Sequence, residues 1–169
     1  MNLVSSFPPL AAPDARVLIV GSMPGVRSLA AGEYYAHRQN AFWRILAELL
    51  DFDADTPYAS RVAALKRGRV AVWDVIASCE RQGSMDADIR APTANDFAGF
   101  FARHGAVGHV FCNGTTAFRL WQRCVAPTVS EALTVARLPS TSPAYAAMSF
   151  ADKLNAWSAV GAVLELGKG

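Results

Sequence analysis

The sequence predicts a three-layer α/β/α sandwich around a central, mostly parallel four-stranded sheet. Three observations predict it. Short runs rich in β-branched residues alternate along the chain with segments of helical hydrophobic period. The runs are almost continuously apolar, as strands covered on both faces are. Helical segments fill the intervals between them, and right-handed crossovers between parallel strands need such segments.

With 169 residues, 52% hydrophobic and 18% charged, the chain reads as one globular domain over residues 1–169. Residues 1–15 are proline-rich and read as an extended lead-in that needs no fold of its own, with Phe7 or Leu10 tucked onto the body. Residues 17–21, VLIVG, are the first strand, and a long loop with two glycines around a proline follows. Asn40 is placed to cap the next helix, whose apolar positions Phe42, Ile45, Leu46, Leu49 and Leu50 share one face. Pro57 starts a second helix, which Lys66, Arg67 and Gly68 close.

Residues 69–76, RVAVWDVI, form the second strand, and residues 77–96 read as a polar loop of about twenty residues, a length usually functional or disordered. Residues 93–96 cap a helix ending at His104 and Gly105, and residues 107–113 are the third strand. Gly114 opens a helix over 115–125 that stops before Pro127, and residues 133–138 are the fourth strand. The turn at 139–146 leads into a last helix over 150–167, with Phe150, Leu154, Trp157, Val160, Val163 and Leu164 as its inner stripe.

The net charge of +2 is too small for a general polycation, so nucleic-acid binding would have to come from local clusters. No basic head precedes an apolar signal core, and no apolar run has bilayer length, so a cytoplasmic protein with no membrane contact is expected. Cys79, Cys112 and Cys124 are odd in number and far apart, which suits reduced structural thiols and no metal site.

In a parallel sheet the loops at 21–25, 78–84, 113–116 and 139–143 all fall on the carboxyl edge, where ligands bind. Their chemistry excludes several classes. GSMPG is not a dinucleotide fingerprint, and no acidic residue closes the second strand in the manner of one. Neither a phosphate-gripping loop ending in Gly-Lys nor a nucleophile elbow is present.

What converges instead is a set of amides, hydroxyls and aromatic faces. Asn40 and Asn113 each carry a donor and an acceptor suited to the edge of a planar heterocycle, and Tyr34, Tyr35 and Phe42 offer faces for stacking. Ser140, Thr141 and Ser142, between two prolines, form a donor-rich turn suited to phosphate oxygens. Each residue also has a plainer reading. Asn40 fits a helix cap, Asn113 a turn residue, Tyr35 a half-buried packing residue, and the 139–143 turn a rigid lead into a helix. His37 reads as a phosphate contact, a general acid or a surface residue. Cys79, Arg81, Ser84 and Asp86 line or brace the site, and Arg38, Arg44, Arg81, Arg90 and Arg119 are phosphate contacts or solvated surface.

Five segments in order resemble the hypoxanthine-DNA (deoxyinosine) glycosylase branch of the uracil-DNA glycosylase superfamily: GSMPG (21–25), YYAHRQNAFW (34–43), WDVIASCERQGSMDADI (73–89), FCNGTTAF (111–118) and LPSTSPAYA (138–146). The opening segment is also similar to the mismatch-specific uracil-DNA glycosylases. That resemblance implies a uracil-DNA-glycosylase-like fold and hydrolysis of an N-glycosidic bond after a nucleotide is flipped out of the helix. It implies Asn40 as the catalytic residue, and Gly21, Ser22, Met23, Tyr35, Phe42 and Asn113 as the base-binding set, with Tyr35 as the stacking platform. It implies Ser140, Thr141, Ser142, Pro143, Ala144 and Tyr145 as DNA contacts, with Ala144 or Tyr145 filling the gap left by the base.

One position departs from the superfamily pattern. The water-activating Asp or Asn of the turn is Met23 here, whose thioether orients water poorly, and the branch relies on the downstream Asn40 instead. The partner implied is single- or double-stranded DNA carrying deaminated bases, acted on by a monomer at the nucleoid. No cofactor is implied, and three cysteines are too few for the iron–sulfur cluster of some branches. A uracil or mismatch specificity within the superfamily, and a non-catalytic DNA-lesion or nucleotide-binding module, are the alternative readings.

Overall fold

The computed structural model describes residues 2–166. The chain runs β1 (Leu3–Ser5), β2 (Val17–Gly21), α1 (Val26–Ala31), α2 (Phe42–Leu50), α3 (Tyr58–Arg67), β3 (Val70–Asp74), β4 (Ile76–Glu80) and β5 (Arg90–Ala94). It continues through α4 (Phe97–Arg103), β6 (His109–Asn113), α5 (Thr115–Leu120), β7 (Thr134–Leu138) and α6 (Phe150–Leu166). The expected last residue of the final helix, Gly167, lies outside the described residues, as does Met1.

The four apolar runs form one parallel sheet in the order β3-β2-β6-β7. Side chains alternate between the two faces of a strand, and each face has its own core. Val17, Ile19, Val70, Val72, Phe111 and Leu138 pack with residues of α2, α3 and α6. Leu18, Val20, Ala71, Trp73, Val110 and Cys112 pack with residues of α4 and α5. The predicted three-layer α/β/α sandwich is thus the architecture that forms. The inner stripe expected for the last helix is buried or partly buried in the first of these cores.

Several local expectations are corrected. The polar stretch at 77–96 is not a loop: β4 and β5 pair antiparallel, and β1 joins them as the third strand in the order β1-β4-β5. Its polarity reflects exposure, because β5 is exposed along nearly its whole length. The lead-in is therefore structured. Besides forming β1 it bridges Leu10 to Val72, and both Phe7 and Leu10 pack onto the body.

The second strand is shorter than residues 69–76, since the parallel register ends with Gly21 opposite Asp74 and the chain then crosses to the small sheet. An acidic residue therefore does close it. In the opening loop lies a helix that hydrophobic period cannot detect, because α1 is six residues long and buries only Ser28. The helix expected over 115–125 leaves α-geometry after Leu120, passing through a π-turn at Trp121–Val125 and a 3-10 turn at Ala126–Thr128.

Candidate active site

Buried tryptophans fix the loops of the carboxyl edge by hydrogen bonds from their indole nitrogens. Trp43 Nε1 donates to the carbonyl of Tyr34 at 2.9 Å, and Trp157 Nε1 donates to the carbonyl of Pro139 at 2.9 Å. An indole has an apolar body and one donor, so it fills core and holds a loop with one residue. The two loops also meet directly, where Ala41 N–H donates to the carbonyl of Thr141 at 3.0 Å. The 82–88 segment is tied to the turn at 21–25 by Ser22 Oγ donating to Asp86 Oδ1 at 2.6 Å and Val26 N–H donating to Ser84 Oγ at 2.8 Å.

These ties enclose a cleft of about 700 Å³. Gly21, Ser22, Met23, Tyr35, Asn40, Asn113 and residues 140–145 all line it. His37, Asp74, Ser84 and Asp86 line it as well. The expected convergence therefore holds for residues at every one of the predicted loops, although the second loop enters through Ser84 and its successors.

Tyr35 is half-buried and has φ of 54°, in the left-handed region that a bulky side chain seldom adopts. Its ring stacks on Phe42 at 4.0 Å between centroids with 22° between planes, and its hydroxyl accepts from Asn113 Nδ2 at 3.3 Å. Phe42 itself is fully buried behind the Tyr35 ring and presents no face to a ligand. Tyr34 lines the cleft but is buried, and its hydroxyl donates to the carbonyl of Pro8 at 2.8 Å in the core.

Asn40 Oδ1 accepts from the N–H of Phe42 at 2.9 Å. The expected cap is made one residue ahead of the backbone N-cap, Ala41. This bond fixes which way the amide faces and leaves the Nδ2 hydrogens without a hydrogen bond to the described residues. Asn113 is more fully engaged. Its Oδ1 accepts from Thr141 N–H at 3.0 Å, and its Nδ2 donates to Thr141 Oγ1 at 3.0 Å and to Tyr35 Oη. The Thr141 N–H can only donate, so the orientation of the Asn113 amide is set. Both hydrogens of Nδ2 are used inside the protein.

Thr141 is fully buried behind Asn113, whereas Pro143, Ala144 and Tyr145 are exposed. Ser140 Oγ and Ser142 Oγ accept from the N–H groups of Ser142 and Ala144, leaving each O–H free to donate. Lys153 of α6 steadies the turn, with Nζ 3.5 Å from the Ser142 carbonyl and 5.4 Å from the centre of the Tyr145 ring. Among the exposed large apolar side chains, Val26, Met85 and Tyr145 lie around the cleft.

Two charged residues differ from the sequence reading. Arg81 is not solvated surface: it is buried, donates from Nη2 to the carbonyl of Pro24, and has Nε and Nη1 unpaired. Asp74, which sequence reasoning left inside a strand, lines the cleft with only 4% of its surface exposed. Burial first, then the charge of Asp86, pushes its carboxyl up to about 7, against the opposing pull of the Arg81 guanidinium. Burial also raises the Tyr35 hydroxyl well above the usual tyrosine range, so it keeps its proton. The one signal for Asp74 in the sequence was an acid inside an otherwise apolar run.

A half-buried tyrosine, a hydrogen-bonded amide and a buried carboxyl thus share one cleft at the carboxyl edge of a parallel sheet, where α/β folds hold their ligands. The family model of the uracil DNA glycosylase superfamily fits residues 8–161, and the chain belongs to that superfamily. Among particular relatives, a hypoxanthine DNA glycosylase of Methanosarcina barkeri is 37% identical over 93 residues, 54% of this chain and 59% of that protein. A hypoxanthine DNA glycosylase of Methanosarcina acetivorans is 33% identical over 94 residues, 55% of this chain and 60% of that protein. Each match thus spans about three fifths of the relative's length. The solution NMR structure of a Methanosarcina acetivorans protein, provisionally described as a uracil DNA glycosylase, superposes with a TM-score of 0.84 at 27% identity. That superposition covers 97% of this chain and 99% of the other.

Proposed function

We infer that this chain is a monofunctional DNA glycosylase that removes a deaminated base, hypoxanthine foremost, and leaves an abasic site. The observation that carries the reading is the Tyr35–Phe42 stack sharing one cleft with Asn40. A base extruded from the helix would lie on the open side of Tyr35, a contact of about 1–3 kcal/mol. Breaking the glycosidic bond builds positive charge on the sugar and negative charge on the base. Asn40, held by its own helix, would use Nδ2 to position the attacking water or to meet that developing charge.

Asn113 supports the reading in a different way from base-edge contact, because its amide holds Tyr35 and the 140–142 turn in place. Pro143, Ala144 and Tyr145 supply the exposed surface for the DNA backbone and for the space vacated by the base. The relatives named hypoxanthine DNA glycosylases support that substrate, and the structural relative supports uracil as the second candidate. Duplexes containing deoxyinosine, deoxyuridine or deoxyxanthosine, followed by alkaline cleavage, test both. Faster release from deoxyinosine is expected. Release from deoxyuridine alone would replace hypoxanthine with uracil, and no release from any duplex would leave a lesion-binding module.

A further inference from the structure

We propose that Asp74 is a second catalytic residue, the acid that gives its proton to the departing base. The proposal rests on the glycosylase reading above and adds the group that completes its chemistry.

Geometry sets the carboxyl in the cleft lining beside the Tyr35 hydroxyl. Asp74 is the last residue of β3 and stands opposite Gly21, at the carboxyl edge of the sheet. A methyl group on Gly21 would fall 2.6 Å from Asp74 Oδ1 and 3.0 Å from Tyr35 Oη. The bare glycine therefore leaves room for both groups, beside the platform. Asp74 lines the cleft, yet Oδ2 is enclosed with no hydrogen-bond partner. The nearby amide of Asn95 does not serve it, donating instead to the main-chain carbonyl of Asp74 at 2.8 Å.

An unpartnered, enclosed carboxylate is unfavourable, and its protonated form is not. The surrounding charges leave the balance near neutrality. Asp86, in a 3-10 turn at Asp86–Asp88, favours the protonated form, Arg81 beyond β4 opposes it without a salt bridge, and Tyr34 and Tyr35 retain their protons. His37 is the remaining titratable imidazole on the cleft wall, and its Nδ1 accepts from Gln39 N–H at 3.1 Å. At the turn, Met23 has no proton to exchange. Among these groups Asp74 is the carboxyl that lines the cleft with an enclosed oxygen left without a partner, whereas Asp86 accepts from Ser22 Oγ.

In the step, the bond between the sugar C1′ and the base nitrogen breaks, and both its electrons go to the base. The Asp74 proton moves to the base, which leaves neutral. Water adds its oxygen to C1′ and passes a proton back to the Asp74 carboxylate. No other reactant is needed. A protonated leaving group matters most for a purine, which is a poor anion without it.

Single-turnover excision of deoxyinosine from about pH 5.5 to about pH 9 tests this for the wild type and Asp74→Asn. The wild-type rate is expected to fall tenfold per unit above about pH 7, and the variant to be about a hundredfold slower and flat over that limb. Binding of a duplex with a non-cleavable 2′-fluoro deoxyinosine should change by less than about twofold, because the group acts on the step. A variant rate within about threefold of wild type, a limb that persists in the variant, or a loss matched in binding would overturn the proposal. Should the variant not fold, the carboxyl ¹³C shift of Asp74 in the wild type decides: a midpoint that coincides with the bend of the wild-type rate profile upholds it, and one that departs from that bend, such as one near about 4, overturns it. Wild-type inactivity on every duplex would instead defeat the glycosylase reading, and this step with it.

Discussion

Asn40 divides its amide between two tasks, with the carbonyl on the N–H of Phe42 and the amino group left to the cleft. Asn40→Ala is therefore expected to lower single-turnover excision by about 10²–10³, the usual effect of losing one donor to developing charge. Loss of the cap should lower stability by only about 1 kcal/mol. Met23→Ala should do the opposite, since Met23 is 7% exposed and belongs to the core. It should keep most of the rate and lose about 2 kcal/mol. Kinetics and urea denaturation on both variants check the pair, and the reversed order would reject the roles.

Asp74 also links pH to stability. Its folded pKa, about 7, lies above the ordinary aspartate value, so the folded protein holds a proton that the unfolded chain has released. The contribution is fully present below about pH 4 and is lost as pH rises through about 7. Asp74→Asn, which cannot ionise, should therefore melt above wild type at about pH 8 and close to it at about pH 4. Calorimetry at the two pH values reads the difference, worth a few kcal/mol at about 1.4 kcal/mol per unit.

Among the elements, the 139–146 turn depends on others for its shape. Trp157 and Lys153 of α6, Ala41 ahead of α2 and Asn113 of β6 all bond to it, and its outward tip is Pro143, Ala144 and Tyr145. A tip that fills the space of an extruded base matters only where a duplex must be opened. Tyr145→Ala is expected to slow excision from duplex deoxyinosine about tenfold and to leave the single-stranded substrate unchanged. An equal loss on both would mean that Tyr145 acts on the base itself.

Across the molecule, the N-terminal segment ties the two sheets together. β1 pairs with β4, Leu10 bridges to Val72, and the carbonyls of Phe7 and Pro8 accept from Trp73 Nε1 at 3.0 Å and Tyr34 Oη at 2.8 Å. Removing residues 2–8 would leave a buried indole and a buried phenol unpaired, at about 1–3 kcal/mol each, and would strip Phe7 from Tyr34. A loss of several kcal/mol in urea unfolding is expected, together with loss of excision, because Tyr34 and Trp43 carry the loop that holds Tyr35. Unchanged stability would show that the segment merely rests on the surface.

The sequence by itself determined the alternation of strand and helix, the two-sided burial of the sheet and the convergence of the loops that follow its strands at one edge. Each follows from a local signal: a run such as VLIVG reports burial on both faces, and strand ends in a parallel sheet share an edge. Tertiary structure alone decided the rest. The small sheet was hidden because β1 pairs Leu3 with Glu80, far along the chain, and because β5 is exposed and polar. Phe42 looked like a ligand contact until packing turned it inward behind Tyr35. Asp74 looked like one residue of a strand until register set it opposite Gly21. Hydrophobic period reports which face of an element is buried; what stands across from a polar side chain depends on distant segments, and that sets its proton affinity and its use.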